Sequence, residues 1–436
     1  MLSVIGIIVG VLLFVLMAYK GINIVISAMA SSVVMILFSQ MPVYQTLKDV
    51  YMAGFAGFLK AYFLLFALSA ILGRLMGDGG GAKKIAVTLA KVVENSSDAN
   101  KKFLCVLLVP VLYFILSYVG ISGFVLVFTI MPIAKNLFEV TDAPWRLYCF
   151  GGPQAVSATM LIGSLQAGNI YAADACGTST TAGAAMSLIA VVVWWAVTVL
   201  LIKMFLKSAE KTGETFATDG TAIKNTPDKS SGITESDLPS LVLSLLPLVL
   251  VIVLSTVFKM EVVPALFIGC LAAIVAFYKN LKGNLKASLT AGLTGCYGSV
   301  FTVAATYAIG TVIKGLPAFA AFTSMLNNLP GIAAGAGLGM ISALIMASVS
   351  SPIPVFGAQM LESYVSAGLS AGAAHRLMTI TGWTCMAPHN AGISNACAVT
   401  KIDYTRCLKV YMIATMVPGL ACMVVCLALA AVGVLA

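Results

Sequence analysis

The sequence predicts an all-α polytopic membrane protein made of two inverted-topology repeats, each with a re-entrant hairpin and a broken transmembrane helix. Three observations carry that prediction. Of 436 residues, 60% are apolar and only 9% are charged, against roughly 25% charged in soluble domains, and the mean hydropathy is +1.02. A polar, charge-bearing run from Lys207 to Asp237 divides the chain almost at its midpoint. Each half then interrupts its apolar segments, at corresponding places, with Gly, Ser, Asn and Pro. Paired interruptions of this kind point to a transporter binding site, because irregular backbone at membrane depth is tolerated only where it lines a polar path.

A crossing takes about 20 apolar residues. Residues 2–18 and 22–40 supply two crossings, with Lys20 in the turn between them, and residues 55–76 supply a third. The first run lacks a basic leader and a clear small-residue cleavage site, so it reads as a retained helix and not a signal peptide. Asp78 opens a Gly-rich junction and reads as a helix cap or a loop residue. Residues 83–95 alternate charged and apolar positions at helical spacing, as in a helix lying in the interface. The apolar block 103–138 is broken at 117–123; two full crossings or a re-entrant hairpin both fit, and the polar tip favours the hairpin. The next stretch, 147–162, dissolves into 163–170 and 177–181 before a strong crossing at 184–205. Residues 207–237 read as a solvated, flexible linker.

The second half repeats this order. Crossings at 241–258, 264–278 and 289–313 precede an amphipathic segment, 318–328. A block from 332 to 367 is broken at Ser348–Pro354, and 374–386 leads into Met386–Asn395. A final crossing covers 407–434. The domains are therefore a first transmembrane repeat at 1–206, a linker at 207–237 and a second, inverted repeat at 238–436.

Charge gives the sidedness. With an odd number of crossings in each half, the linker lies on one side and both termini on the other. Of the 25 lysines and arginines, all but Lys48, Lys60, Lys259, Lys314 and Arg376 then fall on the linker side. Positive charge marks the cytoplasmic side, so the linker is expected in the cytoplasm and both termini outside a bacterial cytoplasmic membrane. The net charge of +9 is read as topology, and no nucleic-acid partner is expected. The ten cysteines lie mostly in apolar segments, where they read as small fillers.

The chain resembles the gluconate permease family of proton-coupled organic-anion symporters, in the ion-transporter superfamily, over nearly its whole length. The opening Gly6 to Gly21 is similar to that family's first helix, and Tyr62–Phe66 through Gly73–Asp78 to its third. His375-Arg376 followed by Pro388-His389-Asn390 is similar to its H-R … L-P-H-N-G signature. Gly163–Ile170 with Gly177-Thr178 looks like a segment of its hydroxybutyrate-permease-like branch. Two departures stand out. No acid precedes Pro388 within Thr384–Ala387, and a Ser-rich run, Ser348–Pro354, replaces the family's small Gly/Ser run. The resemblance implies import of a small hydroxy- or monocarboxylate, of the hydroxybutyrate or gluconate type, with a proton, and a homodimer. Sodium-coupled or exchange transport remains the alternative, although neither hairpin tip reads Ser-Asn-Thr as in sodium-binding relatives.

An anion carrier must replace water around a carboxylate without trapping it, and helix N-termini with neutral donors do this. The breaks supply the candidate substrate ligands: Ser117, Tyr118 and Ser122; Gln166 and Asn169; Ser348, Ser350 and Ser351; and His389, Asn390 and Asn395. His389 titrates near neutrality when unperturbed, and with Asp174 it is a candidate carrier of the coupling proton. His375 and Arg376 fall near the outer face by the charge argument, where they would draw anions in or anchor at the interface. Two histidines without an acidic cluster argue against a metal site and a membrane-embedded enzyme. There is no Walker motif for an ATP-driven pump, and no cofactor is expected.

Overall fold

The computed structural model describes residues 2–93, 98–118, 123–164, 166–224, 237–258, 260–319, 321, 331–346, 350, 352–384 and 386–431. The regular structure among these residues is entirely helical. The first half holds α1 (Leu2–Tyr19), α2 (Ile24–Phe38), α3 (Val43–Asp78), α4 (Gly81–Val93), α5 (Asp98–Tyr118) and α6 (Gly123–Thr141). A 3-10 stretch at Trp145–Phe150 leads into α7 (Gly151–Met160), followed by α8 (Ala167–Cys176) and α9 (Ala184–Thr212). A short α10 (Phe216–Lys224) precedes the second half. That half holds α11 (Leu241–Thr256), α12 (Val262–Ala276), α13 (Leu285–Gly315), α14 (Gly331–Met346), α15 (Pro352–Ser366), α16 (Ala371–Thr381), α17 (Ala391–Thr400) and α18 (Tyr404–Ala431). Six of the described helices, α1, α3, α5, α9, α13 and α18, are long and apolar enough to cross a bilayer. Apart from α4, which has no counterpart among the described residues of the second half, both halves run through one order: two apolar helices, a long third helix, an adjacent helix pair, two short pieces and a long closing helix.

Small residues set the closest helix approaches, as expected where lipid gives helices no hydrophobic reason to associate. Gly6 and Gly10, one turn apart on α1, face α2, and the Ser31 hydroxyl donates to the Gly10 carbonyl at 2.7 Å. The two long third helices cross each other at the centre. Gly54 on α3 receives the Thr311 side chain, and Gly292 on α13 lies against the Ile71 backbone. Around the crossing, Phe58 packs its ring on Tyr62, Phe66, Phe124 and Tyr307. Gly73 brings α3 onto the Phe128 carbonyl of α6. Asp78 is buried inside the fold, paired with Arg74 at 2.8 Å and accepting from Ser288 Oγ at 2.7 Å, so it joins α3 to α13 instead of capping a loop.

The run from 207 is more ordered than its composition suggests. It continues α9 to Thr212 and then forms α10, which buries Phe216 and Ile223. Phe216 packs on Trp145, and its N–H donates to Asp142 Oδ1 at 3.0 Å. Glu214 accepts from Arg146 at 2.6 Å and lies 3.3 Å from Arg406, which also pairs with Asp219 at 2.8 Å. These contacts outweigh the polarity that made the segment read as solvated. Residues 225–236 and most of the expected amphipathic segment 318–328 lie outside the described residues.

The α3–α6 approach is testable. A Cβ at Gly73 would lie 2.5 Å from the Phe128 carbonyl oxygen, whereas one at Gly57 meets open space. Overpacking against fixed backbone costs about 1–3 kcal/mol. Gly73→Ala should therefore lower the unfolding temperature of the detergent-purified protein, and Gly57→Ala should leave it unchanged or slightly raise it. Equal unfolding temperatures for the two variants would refute this crossing.

Candidate functional site

Four short helices shape the candidate site. α7, α8 and α17 have ten residues each and α16 has eleven. A ten-residue helix is about 15 Å long, half of a hydrocarbon core about 30 Å thick. Local chemistry explains where the pairs break. After α7 the chain turns extended at Leu161, and Gly163 takes a φ of +73° that favours glycine. Between α16 and α17 the described residues form no regular element, and the Asn390 side chain caps α17 by accepting from the Gly392 N–H at 2.8 Å. The Pro388 carbonyl accepts from the Tyr404 hydroxyl. The N-termini of α8 and α17 thus offer backbone N–H groups at the two breaks.

One buried network joins the halves. Asn169 on α8 has no exposed surface. Its Nδ2 donates to the carbonyls of Ser164 at 2.8 Å and Thr180 at 3.2 Å. Its Oδ1 accepts from His375 Nε2 at 2.8 Å and from Arg376 Nη1 at 2.9 Å, both on α16. Two carbonyls on one side and a guanidinium on the other fix the orientation of the amide. That orientation puts the histidine proton on Nε2, so neutral His375 Nδ1 accepts from the Thr178 hydroxyl at 2.8 Å. Arg376 also donates to Ala182 O at 2.6 Å, Met160 O at 3.2 Å and Thr180 O at 2.7 Å. It therefore holds the loops on both sides of α8. This corrects the expected surface role of the pair: His375 and Arg376 are both fully buried.

The hairpin ends reach the same region. Gln166 Nε2 donates to Ser117 O at 2.7 Å, and the Tyr118 hydroxyl to Ile162 O at 3.1 Å. Gly168 leaves room for Ser350, whose Oγ would lie 3.0 Å from a Cβ placed there. Asn395 Nδ2 donates to Phe124 O at 3.2 Å, tying α17 to the start of α6. Ser117, Tyr118, Gln166, Asn169 and Ser350 are thus brought to the first break and its loops. His389, Asn390 and Asn395 form the second break, all buried. Asp174 stands apart, exposed on α8, and pairs with neither His375 nor Arg376. Ser122, Ser348 and Ser351 lie outside the described residues.

Buried polar atoms at these junctions without a hydrogen-bond partner among the described residues include Ser117 Oγ, Trp383 Nε1, Ser394 Oγ and Asn395 Oδ1. Buried polar groups are normally satisfied, so such atoms mark places that water or a bound molecule can complete. The sequence marks the segments that hold Ser164, Thr178 and Ser394 as breaks, but does not single out these three side chains. Thr178 is engaged through its hydroxyl by a histidine 197 positions away and Ser164 through its carbonyl by Asn169, and no local spacing announces either.

Comparison with known proteins adds two findings. The model of the GntP family permease matches residues 2–277, which include α5 through α9. The chain is also 25% identical, over 444 aligned residues, to the uncharacterized transporter YxjC of Bacillus subtilis (strain 168), across 91% of this chain and 92% of that protein.

Asn169→Ala removes a shared partner of two carbonyls, a histidine and an arginine. Each buried group left unpaired costs about 1–3 kcal/mol. Tyr118→Phe removes one half-buried bond, worth about 1 kcal/mol. Thermal unfolding should show a loss for Asn169→Ala several times that for Tyr118→Phe; similar losses would contradict the network.

Proposed function

The chain belongs to the GntP permease family and is a membrane transporter, and from that premise we propose that it imports a small hydroxy- or monocarboxylate together with a proton, by alternating access. The observation that carries this reading is the chemistry of the junction. The first break, the end of α5 and two side chains of α16 meet in a buried region rich in neutral donors and holding His375 and Arg376, with no carboxylate bonded to either among the described residues, while Asn395 ties the second break to the start of α6. Such a site suits an anion.

Proton coupling has an energetic motive. Moving one negative charge inward against an inside-negative potential costs about 2.3 kcal/mol per 100 mV, and a co-transported proton removes that cost. His389, 2% exposed in the turn before α17, is the titratable side chain we assign to the proton. Ser117, Gln166, Asn169, Ser350, Asn390 and Asn395, with Tyr118 beside the first break, complete the substrate shell in this reading, as do Ser122, Ser348 and Ser351. In the same reading the halves are inverted repeats, the linker faces the cytoplasm of a bacterial inner membrane, both termini lie outside, and the carrier is a homodimer.

Uptake by reconstituted vesicles tests the proposal. Gluconate and 3-hydroxybutyrate uptake is expected to follow an inwardly directed proton gradient without sodium. Uptake that follows a sodium gradient and ignores the pH gradient would replace proton coupling with the sodium alternative. His389→Ala should cut uptake at least tenfold or shift its pH profile. Wild-type uptake with an unchanged profile would remove His389 from the coupling path.

A further inference from the structure

Arg376 has no exposed surface, and a guanidinium keeps its proton in proteins. Two other buried charges are balanced by side chains of opposite sign: Asp78 by Arg74 at 2.8 Å, and Arg146 by Glu214 at 2.6 Å. Arg376 differs. Its partners are three backbone carbonyls and the Asn169 amide oxygen, and no carboxylate pairs with it among the described residues. Asp174 on α8 and Glu362 on α15, elements that pack near α16, are both exposed. Carbonyl dipoles solvate a cation, but they do not cancel its charge, and an uncompensated charge in a low-dielectric interior is costly. The guanidinium is also not fully hydrogen-bonded. It has five N–H groups; Nε and both Nη1 protons are used, and Nη2 bonds only Thr180 O. One Nη2 N–H is left without an acceptor among the described residues.

We propose that Arg376 is the counter-charge for the transported carboxylate, so that the site takes an acid carrying one negative charge and discriminates against di- and tricarboxylates. The inference rests on the carboxylate-transport reading above and deepens it. One fixed cation neutralises one charge; a second carboxylate brings a second charge into the same buried region with no partner. Shape and charge act together, because the planar guanidinium that meets the anion also holds the carbonyls of Met160, Thr180 and Ala182 around α8. Arrival of a carboxylate at the remaining N–H is therefore felt by the first break.

The experiment measures half-saturating concentrations of gluconate, 3-hydroxybutyrate, succinate and citrate. The readouts are the ligand-induced rise in unfolding temperature of the purified full-length protein, and vesicle uptake. In wild-type protein the two monocarboxylates should saturate at concentrations at least tenfold below succinate and citrate. The gap to succinate should narrow as falling pH leaves that acid singly charged. Arg376→Gln should raise the monocarboxylate value at least tenfold, and Arg376→Lys, which keeps the charge and loses the fork, should raise it less. A purely structural arginine would produce neither the charge discrimination nor the partial rescue by lysine. If Arg376→Gln does not fold, the wild-type discrimination and Arg376→Lys decide. Wild-type protein that takes succinate or citrate as tightly as the monocarboxylates overturns the proposal, as does Arg376→Gln with wild-type half-saturation. If wild-type protein binds and moves none of the four acids, the carboxylate reading fails, and the counter-charge falls with it. If it carries them and only the arginine variants are unaffected, the counter-charge alone falls.

Discussion

The Asn169 amide is the interaction on which the arrangement of the two halves depends. Its four hydrogen-bonding positions are divided between two loop carbonyls of the first half and two side chains of α16 in the second. α8 has only ten residues, too short to be stable on intrinsic propensity, and it sits between two irregular loops. What positions it is this network, together with Gly357 of α15 packed on Ala175. The break in one half is thus held open and oriented by side chains from the other. Only a short polar amide fits this position well. An apolar residue would strand the Ser164 carbonyl and remove the acceptor that His375 and Arg376 share, and a carboxylate would face the carbonyls.

The linker-side ends of the same elements are closed by other contacts between the halves. Trp145 Nε1 donates to Thr400 O at 3.0 Å, and the buried sulfurs of Cys149 and Cys407 lie 3.3 Å apart. Over them lies α10 with its ion pairs, where Glu214 meets both Arg146 and Arg406. Trp145 and Cys149 lead into α7; Thr400 ends α17 and Cys407 begins α18. At the other end of this region Asp174, Gly177, Ser179 and Thr181 are exposed. The segments that carry the breaks therefore also carry the linker-side closure. A carrier that alternates must part these contacts together, and the partly exposed ion pairs are the more easily exchanged for water among them.

Much of this was legible in the sequence because bilayers impose strict rules. Long apolar runs gave the crossings, and Gly163, Asn169, Pro388 and Asn390 marked interruptions that hydrocarbon does not tolerate without a reason. The partners of the breaks were not legible. For Arg376 the distribution of positive charge assigns a side of the membrane and says nothing about burial. Its acceptors are backbone carbonyls, present at every position, so no spacing of residue types announces them. α10 was hidden by composition: nine residues with only Phe216 and Ile223 as large apolar side chains turned inward look solvated until Trp145 is known to lie beside them. Asp78 was hidden likewise, since its partner Ser288 is 210 positions away.

Charge balance connects the second break with the α16 arginine. The signature this chain resembles places an acid just ahead of Pro388, and here Thr384, Met386 and Ala387 are neutral. An acid there would follow the C-terminal end of α16, the helix that carries Arg376, and would be negative whenever it is unprotonated. In the counter-charge proposal, its absence leaves the buried guanidinium as a fixed positive charge that the bound anion balances. Under that condition an empty site is the electrostatically costly state, and an occupied one is neutral for an acid of a single charge. Affinity for the anion and rejection of a second charge then have one physical source. The missing carboxylate ahead of Pro388 and the arginine that no carboxylate pairs among the described residues are parts of a single arrangement.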